Sequence, residues 1–178
     1  MTRTNLIAKA IAFATAKHAG QKRYNGDPYI VHPIAVAEMV AGIGGTEAMI
    51  AAAILHDTLE DTATTEAELL TKFGPEVTKL VVELTNVFTS KAYPSVNRAE
   101  RKAKECDRLA LVSPEAQTIK VADIIHNRPA IIAHDPKFAP IWLSERNTWL
   151  AVLTKAHPKI LEAERNTRGN SQCKGVQP

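Results

Sequence analysis

The stretch from Met49 to Asp61 constrains this chain more than any other. Met49-Ile-Ala-Ala-Ala-Ile-Leu55 is an apolar run, and it ends in His56-Asp57-Thr58-Leu59-Glu60-Asp61. On a helix, positions four apart share a face, so His56 is expected above Glu60 and Asp57 above Asp61. Four ionisable groups directly after a buried run are unfavourable to place unless something compensates them. A divalent cation is the obvious compensator, because neutral imidazole and carboxylate are both good ligands for one. A helix surfacing from the core, its acids solvated and His56 capping the end, would account for the same residues without an ion.

The rest of the chain narrows the choice. At 178 residues it has the length of one domain with a sizeable core. Its apolar fraction of 45% is dominated by alanine and only 5% of residues are aromatic, which favours closely packed helices over a β-sandwich. A net charge of +3 is too small for a duplex-DNA binder, although a local basic cluster could hold a small anionic ligand. Cys106 and Cys173 lie far apart, so neither a disulfide framework nor a thiolate zinc site is expected, and a reduced, cytoplasmic setting fits. Thr2 to Ala19 is basic and free of acids, as in a targeting peptide, but Lys9 and Lys17 interrupt its apolar core. Leu6, Ala10, Phe13 and Ala14 instead share one face of a first domain helix. No stretch approaches the ~20 apolar residues needed to span a bilayer, so a soluble protein is expected.

Nearly every periodic segment reads as helical. Gly20 to Pro28 is a polar loop, and a helix restarts from Tyr29 to Ala41 through His32-Pro33. Thr46 is a fair N-cap for the helix that runs into His56-Asp57, and Thr65 with Glu68 forms a capping box. Gly74-Pro75 breaks that helix and opens another. A charged segment runs from Asn97 to Leu109, and Ser113-Pro114 introduces a helix over Thr118 to Ile132. A final helix carries Trp142, Trp149 and Leu153. The expectation is an all-α, single-domain irregular helical bundle over residues 1–164, followed by a flexible tail over 165–178 that lacks apolar periodicity.

Three further positions carry polar groups that a core helix does not need. His32 opens a helix just after a turn, while Asp123 and Asn127 share one face of an otherwise apolar helix. An Asp among Ile and Val is unfavourable to bury unless it is paired or bound to metal. His32, His56, Asp57 and Asp123 together offer two nitrogens and two oxygens, a mixed set that suits a borderline or hard ion such as Mn²⁺.

The order His32, His56-Asp57, Asp123 resembles the H…HD…D pattern of the HD-domain metal-dependent phosphohydrolases. Gln21-Lys-Arg23 with Gly26-Asp-Pro-Tyr-Ile-Val-His32-Pro33, then His56-Asp-Thr-Leu-Glu-Asp61, then Ala122-Asp123 with Asn127, is similar to the hydrolase domain of RelA/SpoT-type proteins and to stand-alone small alarmone hydrolases. The resemblance covers roughly Ala8 to Leu153. It implies an all-helical HD-domain fold, one Mn²⁺ ion per chain and removal of the 3′-pyrophosphate from guanosine tetra- or pentaphosphate. By the same resemblance His32, His56, Asp57 and Asp123 are metal ligands, and Glu60 and Asp61 position and activate the attacking water with Asn127 beside it. Lys22, Arg23, Arg101, Lys102 and Arg146 are expected to face the substrate.

Four positions depart from the branch pattern. Tyr24 and Ile124 stand where Lys is usual, His126 where Tyr is usual, and Arg146 where an aromatic residue is expected. All four are on the expected substrate side, so they bear on which nucleotide is hydrolysed. An adenosine-based alarmone or another phosphorylated nucleotide is the alternative substrate, and a metal-binding regulatory module without turnover is a further alternative. No nucleic acid or membrane is an expected partner, and the oligomeric state is not readable. His18, His126, His134 and His157 are read as structural or solvated, as is the basic run Arg98 to Lys104 taken alone, and Trp142 and Trp149 as core.

Overall fold

The computed structural model describes residues 3–172. Among them the chain forms nine helices: α1 (Arg3–Lys17), α2 (Val31–Gly42), α3 (Glu47–Leu55), α4 (Thr58–Asp61), α5 (Glu66–Leu84), α6 (Arg98–Leu111), α7 (Pro114–His134), α8 (Ala139–Val152) and α9 (Pro158–Gln172). There is no strand among the described residues; Lys22 and Pro28 form an isolated bridge across the first loop. The expected all-α, single-domain bundle is therefore what the chain adopts. The stretch from Ala116 to Ile125, the one passage with some strand character, lies inside α7.

The apolar run became the middle of the molecule. Ala51 to Leu55 are at most 1% exposed, and α3 packs against α1, α2, α5 and α7. Three consecutive alanines let those neighbours approach closely on all sides. Side-chain caps begin the helices where the sequence implied: Thr46 Oγ1 accepts from the Met49 amide at 3.2 Å and Ser113 Oγ from the Ala116 amide at 3.2 Å. Thr65 caps α5 in the same way, but the Glu68 carboxylate pairs with Lys17 Nζ at 2.8 Å, away from the Thr65 amide, so only half of the capping box is made. The Gly74-Pro75 break is a kink within α5, where Gly74 has φ 81°, a conformation that favours glycine.

Three expectations need correction. The helix of the apolar run stops at Leu55 and does not continue through Asp61. The His56 ring donates from Nδ1 to Ala53 O at 2.7 Å and Thr58 Oγ1 donates to Leu55 O at 2.7 Å, so local side-chain bonds occupy carbonyls that the next turn would use. The helix carrying Trp142 and Trp149 is followed by another, α9. The expected flexible tail from Arg165 is continued as helix to Gln172, since the preceding turns of α9 pack Ile160 and Glu164 inward; residues 173–178, with Cys173, lie outside the described residues. Among the described residues, no helix is long and apolar enough to cross a membrane.

Candidate active site: two imidazoles and two carboxylates in one buried cluster

Three segments supply the cluster. His32 comes from the first turn of α2, His56 from the residue after α3, Asp57 from the residue before α4, and Asp123 from the middle of α7. His32 Nε2 lies 3.2 Å from Asp123 Oδ1 and 3.6 Å from Asp57 Oδ2. His56 Nε2 lies 3.0 Å from Asp57 Oδ2 and 3.7 Å from Asp123 Oδ1. Both rings are almost wholly buried.

The donor chemistry of these groups fits a cation. Ala53 O can only accept, so His56 Nδ1 carries a proton, and Nε2 is the nitrogen turned toward the two carboxylates. Among the described residues, His56 Nε2 is buried with no hydrogen-bond partner. Burial disfavours a charged His56, yet Asp57 and Asp123 outweigh it and push its pKa up to about 10. The site thus demands positive charge at the point where the lone pairs converge. Burial would raise the Asp57 carboxyl, but His56 holds it below the usual carboxylate range; for Asp123 the Lys120 ammonium and the two imidazoles do the same. His32, Asp57 and His56 each offer one ligand atom, all within 4.8 Å of one another.

Other groups fix the ligands in place. Tyr29 Oη donates to Asp57 Oδ2 at 2.7 Å and lies 3.3 Å from Asp61 Oδ2. Its own ionisation is pushed up by burial and by Asp57. Lys120 Nζ contacts Asp123 Oδ2 at 3.1 Å. Asn127 donates from Nδ2 to Asp123 Oδ1 at 2.6 Å and accepts on Oδ1 from Arg23 at 2.7 Å, so it links the expected nucleotide-facing Arg23 to the cluster. His32 Nδ1 is 2.8 Å from His126 Nδ1. Tyr29 and Lys120 were not singled out as site residues by sequence reasoning: the partner of Tyr29 is 28 residues away, whereas Lys120 lies one helical turn before Asp123.

Glu60 and Asp61 are exposed at the rim. Both Glu60 carboxylate oxygens are bound by Asn86, at 2.9 and 3.0 Å from Nδ2 and 3.2 Å from the backbone amide. Burial and the neighbouring Asp57 and Glu60 raise the Asp61 carboxyl.

The basic residues divide. Arg146 lies 3.9 Å from the Trp149 ring centroid and 5.2 Å from that of Trp142, while Lys102 and Lys120 also sit over Trp149, at 5.1 and 5.6 Å. Both indoles are buried, as expected of core residues. Arg146 Nη1 is buried without an acceptor among the described residues, and burial plus the Arg146 charge push Lys102 down to about 8. Crowded cations of this kind are what an anionic ligand would relieve. Arg101 is turned elsewhere, its guanidinium bonded to Val96 O, and Lys22 is exposed on the first loop. A cavity of about 570 Å³ opens beside His32, with Arg23, Tyr24, His126 and His134 in its wall. The Tyr24 and His134 rings are parallel, 6.3 Å apart. A second cleft of about 390 Å³ runs past Arg98, Lys102, Glu145 and Trp149.

An all-helical bundle that gathers two His and two Asp from separate segments around one buried point defines a candidate divalent-metal protein of the His-Asp type. The chain belongs to the HD-domain family, whose model HD_4 matches residues 10–158. It is 41% identical over 125 residues to GTP pyrophosphokinase rsh of Brucella ovis, a match covering 68% of this chain and 16% of that protein. It is 40% identical over 124 residues to guanosine-3′,5′-bis(diphosphate) 3′-pyrophosphohydrolase of Aquifex aeolicus, covering 68% of this chain and 17% of that one. The chain therefore spans about a sixth of the length of the curated relatives it matches. Among solved structures it superposes on a metazoan ortholog of SpoT, described as hydrolyzing ppGpp, with a TM-score of 0.79, 24% identity and coverage of 92% of this chain and 96% of that one. That likeness shows the fold.

Proposed function

We propose that this chain is a Mn²⁺-dependent hydrolase that removes the 3′-pyrophosphate from guanosine 3′,5′-bis(diphosphate)-type alarmones, ppGpp and pppGpp. The observation that carries the reading is the buried convergence of His32, His56, Asp57 and Asp123 beside a row of cations stacked on Trp149. The substrate is supported by the relative from Aquifex aeolicus that is named for this hydrolysis. A cytoplasmic setting accords with the free, buried thiol of Cys106.

In this reading the four cluster residues hold one ion, and their mixed nitrogen and oxygen set suits Mn²⁺. Such an ion, when bound, supplies positive charge to the phosphoryl oxygens and makes a water more acidic. Glu60 orients that water and accepts its proton, with Asp61 assisting and Asn127 alongside. Arg23, Lys102 and Arg146 hold the remaining phosphates; Arg suits bidentate contact with them. Lys22 and Arg101 serve the same end once their side chains swing inward. The water oxygen bonds to the phosphorus carried on the 3′-oxygen as the P–O3′ bond breaks, and the proton taken up by Glu60 goes to that 3′-oxygen, which leaves pyrophosphate and a free 3′-hydroxyl.

The test is release of pyrophosphate from guanosine tetraphosphate with Mn²⁺, with and without a chelator. Turnover that the chelator abolishes, and that Glu60→Gln slows ~10²–10⁴-fold, is the expected result. One observation favours a second substrate: Tyr24, facing His134 across the larger cavity, offers rings where the branch usually has a cation. An adenosine alarmone in the same assay distinguishes the two. No turnover on either nucleotide, with Glu60→Gln changing nothing, would leave a non-catalytic metal-binding module.

A further inference from the structure

We infer that Asn86 is the positioning residue of Glu60, holding its carboxylate in the orientation the reaction needs. This rests on the reading above, in which Glu60 orients the attacking water.

Asn86 follows α5 by two residues and reaches back to α4, a separation of 26 residues in sequence. Its side-chain amide donates to both Glu60 oxygens and its backbone amide to one of them. Three contacts from one residue fix both the position and the plane of a carboxylate that is otherwise exposed at the rim. Asn86 Oδ1, meanwhile, is buried with no partner among the described residues. The side chain therefore leaves its own acceptor unsatisfied while its donors are engaged on Glu60, the reverse of what a residue filling a loop would do.

The backbone that carries Asn86 is itself pinned. The amides of Val87 and Phe88 both donate to Glu105 Oε2 at 3.1 Å. Glu105 is only 1% exposed and is held from the other side by Arg108, whose Nε lies 2.7 Å from Oε1 and whose Nη1 donates to Glu83 O at 2.8 Å. A buried carboxylate is unfavourable unless paired and hydrogen-bonded. Here a buried acid and its arginine hold two consecutive loop residues, Val87 and Phe88, and the residue just before them grips Glu60. Segment 86–88 is thus clamped between two carboxylates, one structural and one at the proposed reaction centre.

The test is a double-mutant cycle on pyrophosphate release from guanosine tetraphosphate with Mn²⁺, using Asn86→Ala, Glu60→Gln and the pair. Asn86→Ala is expected to lower kcat ~10–100-fold, the span for residues that orient an active group, with KM little changed. In the Glu60→Gln background the same substitution should add almost nothing. If the two losses multiply, or if Asn86→Ala moves KM and leaves kcat intact, Asn86 does not act through Glu60 and the inference is overturned. If Glu60→Gln leaves kcat unchanged, the parent reading fails first and takes the inference with it. A readout free of turnover accompanies the cycle: in metal-free protein the Asn86 side-chain amide should give a downfield-shifted NMR signal that moves on Glu60→Gln. A signal at the ordinary position, indifferent to that change, also overturns it.

Discussion

His32 has two ring nitrogens with different tasks. If Nε2 is to present a lone pair to a cation, Nδ1 must carry the proton and needs an acceptor, and His126 Nδ1 at 2.8 Å is that acceptor. His126 is suited to the task because burial, His32 and Arg23 push its pKa down to about 4, so it stays neutral at pH 7. Removing it should loosen metal binding without removing a ligand. His126→Ala is expected to weaken Mn²⁺ affinity ~10–100-fold in a competition titration, whereas His157→Ala should not change it. Lys102 allows a second expectation of this kind. Its folded pKa of about 8 lies below the usual 10.5 because of burial and Arg146. A lysine depressed in this way destabilises the fold where it is charged, below about pH 8, and the penalty fades as pH rises toward 10.5. Lys102→Met should therefore raise Tm at pH 7 in thermal unfolding, with the gain shrinking by pH 10. In the proposed reaction the same substitution should raise KM.

Whole elements were legible in the sequence where the deciding signals were local. Thr46, Ser113 and the Gly74-Pro75 pair act within one turn of themselves, so caps and kink could be read directly. The end of α3 could not, because the competing bonds from His56 and Thr58 depend on ring and hydroxyl orientation. Long-range partners hid more. His126 read as structural since its partner is 94 residues away. Asn86 sits in a loop without any motif. The continuation of α9 was invisible because Glu164 looks like one more solvated acid in a polar stretch, yet it is 2% exposed and paired with the equally buried Arg128 of α7. Breaking such a pair strands a charge in the interior. Glu164→Ala should lower stability by about 3–5 kcal/mol in urea unfolding, while Arg128→Met with Glu164→Leu should come close to wild type.

At the scale of the molecule, the cluster sits where α2, the α3–α4 turn and α7, already packed on one another through the apolar core, come together. α2, the α3–α4 turn and α7 each bring one or two ligands, and α7 touches most of the other long helices. Without a cation, two carboxylates and two lone pairs face one another in the interior, and His56 must hold a proton to relieve them. An ion that binds the folded chain and not the unfolded one stabilises it by mass action, about 2.7 kcal/mol at a hundred times Kd. For a domain of this size that corresponds to a rise in Tm of roughly 5–10 °C. Binding also displaces the His56 proton, so the rise should be smaller at pH 5 than at pH 8, where fewer protons compete for the ligands. Thermal unfolding with and without Mn²⁺ at the two pH values measures both effects. Asp123→Asn keeps the shape of the side chain but removes its charge, and it should abolish the Mn²⁺-dependent rise; a variant that keeps the full rise would take Asp123 out of the ligand set.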